Sequence, residues 1–424
     1  MSPQPDLRID IERLLARLIE LSDIGGIDGT TGCSRLAFTD ADKAGRDLVV
    51  TWMTDLGLDI TIDGIGNVVG VWRPESMPAG ARDLAPVMTG SHIDTVATGG
   101  RYDGNLGVLA GIEVIETLAT AGFVPARPLA VAFFSNEEGA RFAPDMMGSL
   151  VYVGGMGLEQ AHRTDGIDGA VVGDELDRIG YLGPSPCPGL VPHAFVELHI
   201  EQGPVLAEEG LDIGVVESVQ GISWTEVTIE GQSNHAGTTP MRLRHDAGYV
   251  AAAVATFVRA LADELGHPQV GTVGMIDLHP NLVNVVAATA TITVDLRNTD
   301  NEILTRAEKR LQAELDRLAP AEGVTISTRS LARFDPVVFD AGVVELVESA
   351  ARAAGATTMR MPSGAGHDAQ MMSRICPTAM IFTPSHKGIS HNPAEHTDPE
   401  HLAMGADTLL RVMTTLAGDR QTAS

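Results

Sequence analysis

His92 and Asp94 close an apolar run, "LAPVM", and stand two residues apart, so in an extended chain both side chains lean to one side. An imidazole that binds a cation through one nitrogen is commonly held at the other by a carboxylate, and Asp94 is spaced to supply it. Asp103 follows within a stretch flanked by Gly99, Gly100, Gly104 and Gly107, where small residues let backbone come close to an ion. Further on, "FFSNEEGARF" ends a second apolar run on the adjacent pair Glu137 and Glu138. Neighbours in a strand face opposite sides, so both reach one site only after the chain has turned, which Gly139 permits. "FVELHIEQGPVL" puts Glu197 and His199 on one strand face with Glu201 beyond, and "GISHNPAEHT" adds His391 and Glu395, flanked by His386 and His396. Each segment alone is also what a solvated loop or a helix cap would show. Together His92, Asp103, Glu138, His199 and His391 are nitrogen and oxygen donors without a thiolate, a set that suits two divalent cations, zinc or manganese first. Two such ions can activate a water and polarise a carbonyl.

Regular elements must hold these residues. Ile11, Leu14, Leu15, Leu18 and Ile19 repeat at helical spacing and predict a core-facing helix over 7–22, and Thr39 and Gly57 bracket a second over 40–56. "LDITIDGIGNVVGVW" alternates about Asp63–Gly64 as a β-hairpin. Its glycines have the wrong spacing for a dinucleotide loop, and no helix follows. "APVMTGSH", "NLGVLAGIEVIETLATAG" and "PLAVAFFSNEEG" then read strand, helix, strand, which predicts a sheet covered by helices. Ligands of such sheets gather at the carboxyl ends of strands, where His92 and the glutamate pair fall. From about 216 the order becomes β-α-β-β-α-β, that of a ferredoxin-like domain, and after about 331 the α/β pattern returns, with a helix over 341–354. The fold class is therefore α/β: a catalytic domain of residues 1–215 and 332–424, interrupted by an α+β domain of residues 216–331.

The bulk composition narrows the partners. A hydrophobic content of 44% and a charged content of 20% over 424 residues fit a globular chain with a sizeable core. The net charge of -27 and the lack of any Lys/Arg run argue against nucleic acid or an anionic membrane. The most apolar helical stretch, "AGYVAAAVATFVRALA", contains Arg259 and falls short of the roughly 20 apolar residues of a membrane span. Cys33, Cys187 and Cys376 lie far apart with no C-x-x-C spacing, so neither a disulfide framework nor a structural zinc knot is expected, and a cytoplasmic protein is.

Seven segments, "GSHIDTVATGGRYDG", "FSNEEGARF", "ELHIEQGPVL", "NHAGTTPMRLRHDA", "LVNVV…DLR", "SGAGHDA" and "SHNPAE", closely resemble the M20 family of dizinc amidohydrolases over about 90–396. Within that family they resemble the branch of N-carbamoyl-L-amino acid hydrolases and allantoate amidohydrolases. The resemblance implies a zinc-binding α/β domain with an inserted lid that also forms a homodimer, with hinges near 215 and 331. It implies that His92 and His199 hold one zinc, Glu138 and His391 the other, and that Asp103 bridges; manganese, cobalt or nickel can replace zinc. Glu137 would be the general base and Asp94 the carboxylate behind His92. Gln202, His235, Asn284, Arg297 and the backbone at Gly364 and Gly366 would bind substrate, Arg297 through its carboxylate, with His235 reaching a neighbouring subunit's site. His367 and Asp368 would shape their loop. Histidine at 199, where many M20 peptidases have aspartate, points to the carbamoylase branch. Ala287–Ala288 stands where relatives carry Pro-Gly, which alters the turn presenting Asn284. The expected reaction is cleavage of the ureido C–N bond of a small N-carbamoyl-L-amino acid to the amino acid, CO2 and ammonia. Its rival is the same chemistry on allantoate; an M20 aminoacylase or peptidase, or an inactive metal-bound binding protein, is more remote.

Overall fold

The structure is a computed structural model in which residues 7–418 are described. The chain divides into two compact units, one joining the segment up to Glu217 with that from Phe339 onward, the other Ser218–Val338. Thirteen strands are present among the described residues: β1 (Asp59–Ile62), β2 (Val68–Trp72), β3 (Val87–His92), β4 (Leu129–Phe134), β5 (Ala194–Ile200), β6 (Ile213–Val219), β7 (Gly221–Glu230), β8 (Val270–His279), β9 (Thr289–Asn298), β10 (Thr325–Phe334), β11 (Val337–Val338), β12 (Thr358–Ser363) and β13 (Thr378–Thr383).

The large sheet has the order β1-β2-β4-β3-β5-β13-β6-β11, with β12 beside β6. Its centre is parallel: β4 with β3, β3 with β5, and β5 with β13. Every residue of β3, β4, β5 and β13 is buried, as apolar runs without alternation require when helices cover a sheet. Helices Asn105–Thr120 and Pro399–Ala417 pack on these strands and on each other. The parallel register places His92 level with Phe134, and His199 level with Phe382, so four strands deliver their carboxyl ends to one edge.

The first helix runs Ile11–Asp23, later than the spacing suggests, because the Asp10 carboxylate accepts the Arg13 N–H and caps it there. Its buried stripe is Leu14, Leu18 and Leu21; Ile19 is 47% exposed and does not belong to the core face.

In the second unit β7, helix Ala247–Leu265, β8, β9, helix Asn301–Glu322 and β10 follow in turn and give an antiparallel sheet of order β10-β7-β9-β8. That is the ferredoxin-like arrangement. Ala290, Ile292, Val294 and Leu296 of β9 face the helices, where they meet Val250, Val254, Leu304 and Leu311. Thr291, Thr293, Asp295 and Arg297 alternate onto the other face.

Candidate active site

His92, the last residue of β3, is buried, and its Nδ1–H donates to the Asp94 carbonyl at 2.9 Å. His199 on β5 is anchored likewise by the Ile200 carbonyl at 2.9 Å. A ring nitrogen engaged on backbone leaves Nε2 as the ligating atom. The sequence pattern assigns the first of these anchors to the Asp94 carboxylate, and the structure corrects that: its Oδ1 stands 4.0 Å from His92 Nδ1. Instead Oδ1 and Oδ2 accept the main-chain N–H groups of Glu137 and Glu138 at 3.2 and 3.3 Å. Asp94 therefore fixes the peptide that carries both glutamates.

That peptide turns earlier than Gly139. Asn136 already has φ +53, and its Nδ2 donates to the carbonyls of Phe142 and Pro144. Asparagine tolerates this left-handed conformation better than most residues. Adjacent glutamates consequently reach one place. Glu137 Oε2 lies 3.3 Å from His92 Nε2, and Glu138 Oε2 lies 3.3 Å from His391 Nε2.

Asp103 stands between. Its Oδ1 faces His92 Nε2 at 3.7 Å and His199 Nε2 at 3.2 Å, and its Oδ2 faces His391 Nε2 at 3.4 Å. Oδ2 also accepts from Gln202 Nε2 at 2.9 Å and from Ser390 Oγ at 3.0 Å. Two of the glycines in this loop are steric necessities. A Cβ on Gly104, at φ +68, would come within 2.4 Å of the His92 ring, and one on Gly100 within 2.1 Å of Glu395 Oε1.

These distances fit a pair of cations. A tetrahedral ion with ligands at 2.0–2.2 Å separates its donor atoms by about 3.3–3.6 Å, close to the spacings here. His92, Asp103 and His199 form one such group, and Asp103, Glu138 and His391 another, with Asp103 in both. A third group, Glu197, His199 and His367, is closed by protein contacts. Glu197 accepts from Ser91 Oγ at 2.6 Å and the Ala369 N–H at 2.8 Å, and His367 Nε2 bonds Ser363 Oγ at 2.9 Å.

The electrostatics separate the donors. Burial holds the His92 imidazole down at about 4, against the pull of Asp103. Burial also opposes the charge on His199, but the hydrogen bond and charge of Asp103, with Glu197, prevail and hold it at about 9. The Asp103 bond raises His391 as well. Burial first, then the charges of Asp368 and Glu138, push Glu137 well above the usual carboxylate range.

Gln202, at φ +57, is held by Ser385 Oγ on its N–H, and its Oε1 is buried without a partner among the described residues. Gly364 and Gly366 lie in the loop after β12; a Cβ on Gly366 would stand 2.8 Å from Met146, while none would be met at Gly364. His367 in the same loop packs its ring 4.5 Å from that of His199, and Asp368 opens a short helix. Glu201 caps Val205 and Leu206, and His396 pairs with Asp398; neither takes part in the ligand groups.

In the second unit His235 pairs by backbone with Val285, and the Asn284 carbonyl accepts the Ala236 N–H, so these two loops share one end of the sheet. The Ala287 carbonyl there accepts the N–H of Ala247 at the start of its helix, and the Ala288 N–H donates to the carbonyl of His279 at the end of β8. Arg297 lies at the other end of β9, opposite Ile222, bonded to Asp295 and 5.8 Å from the Trp224 ring. Eight strand residues, roughly 26 Å, separate its position from Thr289. Ser390 is the site residue that no sequence pattern singles out, since a serine beside a histidine carries no spacing signal.

The chain matches the family described as peptidase family M20/M25/M40 over residues 88–415, and it belongs to that family. It is 40% identical to the N-carbamoyl-L-amino-acid amidohydrolase of Rhizobium meliloti, covering 97% of this chain and 98% of that one. The ureidoglycolate hydrolase of Arabidopsis thaliana is 34% identical, covering 97% and 88%. A crystal structure of a hydantoinase/carbamoylase-family amidase from Burkholderia multivorans superposes with a TM-score of 0.92 at 41% identity, covering 97% and 98%. Enzymes of this family depend on metal, and this chain carries the His, Asp and Glu groups to hold it. Among the described residues no helix is long and apolar enough to cross a membrane.

Proposed function

We propose that the protein is a two-metal amidohydrolase that cleaves the ureido C–N bond of N-carbamoyl-L-amino acids, releasing amino acid, CO2 and ammonia. The observation that carries this is Asp103, whose two oxygens each complete a group of donors at ligand-sphere spacing. Two zinc ions, or manganese in their place, would supply Lewis-acid polarisation of the ureido carbonyl and acidify a water.

The chain's own residues do the rest. Glu137 takes a proton from the attacking water on Oε2 and delivers it to the departing nitrogen. Its raised affinity for a proton, imposed by burial, suits a group that must do both near neutral pH. Gln202 offers its unpartnered Oε1 to a ureido N–H, and the backbone at Gly364 and Gly366 lines the pocket. His235 and Asn284 would stabilise the developing oxyanion and Arg297 would clamp the substrate carboxylate. Because Arg297 sits so far along its strand from the other two, one small substrate cannot meet all three from a single chain. A homodimer in which His235 and Asn284 serve the partner's substrate accounts for this. The free thiols Cys33, Cys187 and Cys376 accord with a cytoplasmic setting.

The test is a substrate panel: N-carbamoyl amino acids of both hands, allantoate, ureidoglycolate, N-formyl amino acids and dipeptides, with zinc or manganese, before and after chelation. N-carbamoyl-L-amino acids should turn over, chelator should stop the reaction and metal restore it. Glu137→Gln should keep its metal and lose about a thousandfold in turnover. Turnover of allantoate alone selects the second ureido reading, and turnover indifferent to chelator or to Glu137→Gln refutes the mechanism.

A further inference from the structure

His391 is the least supported of the five candidate ligands. His92 and His199 each have Nδ1 tied to a carbonyl, whereas among the described residues nothing holds Nδ1 of His391. Its side chain is 52% exposed and its backbone is left-handed, at φ +52. Something else must fix where its Nε2 points.

The turn that carries it supplies that fixture. Glu395, four residues on, is only 3% exposed. Its Oε1 accepts the main-chain N–H groups of Tyr102 at 3.0 Å and Asp103 at 3.2 Å, and its Oε2 accepts from Ser390 Oγ at 2.9 Å. One buried carboxylate thus ties the His391 turn to the backbone of the bridging aspartate. Gly100 keeps the space open, since any Cβ there would overlap that carboxylate. Ser390 has a single hydroxyl proton and two carboxylate neighbours, Glu395 Oε2 and Asp103 Oδ2 at 3.0 Å. If the proton goes to Glu395, Asp103 Oδ2, which also accepts from Gln202 Nε2, keeps a lone pair for a cation.

We propose that Glu395, acting through Ser390, is a positioning residue for the Asp103–Glu138–His391 half of the metal centre and not for the other half. The inference rests on the two-metal reading above.

Glu395→Gln separates its two duties. The amide oxygen can still accept the Tyr102 and Asp103 N–H groups, but the NH2 group now faces Ser390. The serine must accept there, which turns its proton toward Asp103 Oδ2 in competition with a cation. The experiment is zinc titration of the metal-stripped, full-length enzyme against a competing chelator, with thermal melting to show that each variant folds. Wild type should bind two ions. Glu395→Gln should leave one affinity unchanged and weaken the other about 10–100-fold, the usual cost of losing a residue that orients a ligand. The weakened ion should be the one that His391→Ala removes. In a Ser390→Ala background, Glu395→Gln should add little, since the proton it redirects is gone.

Both affinities within twofold of wild type, both weakened alike, or a full effect of Glu395→Gln without the serine hydroxyl would each overturn the proposal. Should Glu395→Gln fail to fold, Ser390→Ala alone carries the test: a selective loss supports the proposal, and an equal loss or none overturns it. A wild type that binds fewer than two ions instead sinks the two-metal reading itself.

Discussion

The two halves of the proposed metal centre share Asp103 and are built from different material. His92 and His199 sit on β3 and β5 within the fully buried, parallel centre of the large sheet, each with its far nitrogen on a backbone carbonyl. Glu138 and His391 sit on turns, behind Asn136 at φ +53 and at φ +52, with the histidine half open to solvent. Strand ends inherit their positions from the sheet, because each side chain is fixed by a register that dozens of backbone bonds share. Turn residues inherit nothing of the kind, and their geometry is only as good as local braces such as Asp94, Asn136 and Glu395. The sheet-borne half should therefore be the tighter and more robust one.

The largest effect that could break this comparison comes from the residue both halves share. Asp103→Ala should lose both ions, and each affinity should fall by more than the 10–100-fold that removal of an orienting residue costs. Metal content after dialysis, measured by elemental analysis, checks it. One ion retained at wild-type affinity would mean that Asp103 belongs to a single half and that the halves are independent.

A smaller and more selective effect distinguishes the halves from each other. His391→Ala should drop one ion and leave the other close to wild type, because the imidazole is no ligand of the buried half and Glu395, which holds the Asp103 backbone, stays in place. His92→Ala should cost both, since the loss removes a ligand and opens a cavity against Gly104, whose lack of a Cβ is what makes room for the ring. Equal, single-ion losses in the two variants would show that the strand-borne half has no structural priority.

The same contrast decides how much the sequence reveals. His92 and His199 are legible because a histidine toward the end of a mainly apolar strand has few structural reasons to be there, and Asp103 because a glycine cluster marks close approach. The β-α-β-β-α-β order of the second unit is legible for a similar reason, as strict alternation along β9 reports a sheet with one buried face. The turns are harder. Gly139 looks like the pivot behind the glutamates, yet the chain pivots at Asn136, whose partners Phe142 and Pro144 are chosen by a loop with no periodicity. A two-residue spacing allows either oxygen of Asp94, backbone or carboxylate, to meet His92, and only the folded chain separates them. Ile19 has the spacing of a core residue but lies one position past Leu18 and about 100° around the helix, which turns it to solvent. Glu395 is visible in sequence only as an acid near a histidine; its partner Asp103 lies 292 residues away.

The smallest effect is on the metal-free protein, and it sharpens the comparison through protons alone. His199 is held at about 9 in the folded chain, against roughly 6.5 for a free imidazole. A folded value above the unfolded one means that the charged histidine favours the fold, fully below pH 6.5, and that this contribution fades as pH rises to 9. The melting temperature of chelator-treated enzyme should accordingly fall by several degrees across that window. Asp103→Asn should flatten the fall, because the Asp103 carboxylate is the partner that holds His199 charged. His391→Ala should leave most of it in place: His391 leans on the same carboxylate, but water screens a half-exposed pair far more than a buried one. Zinc should abolish the dependence, as a nitrogen bound to metal takes no proton. A fall that vanishes in His391→Ala instead would assign the proton, and the stronger electrostatic coupling, to the turn-borne half.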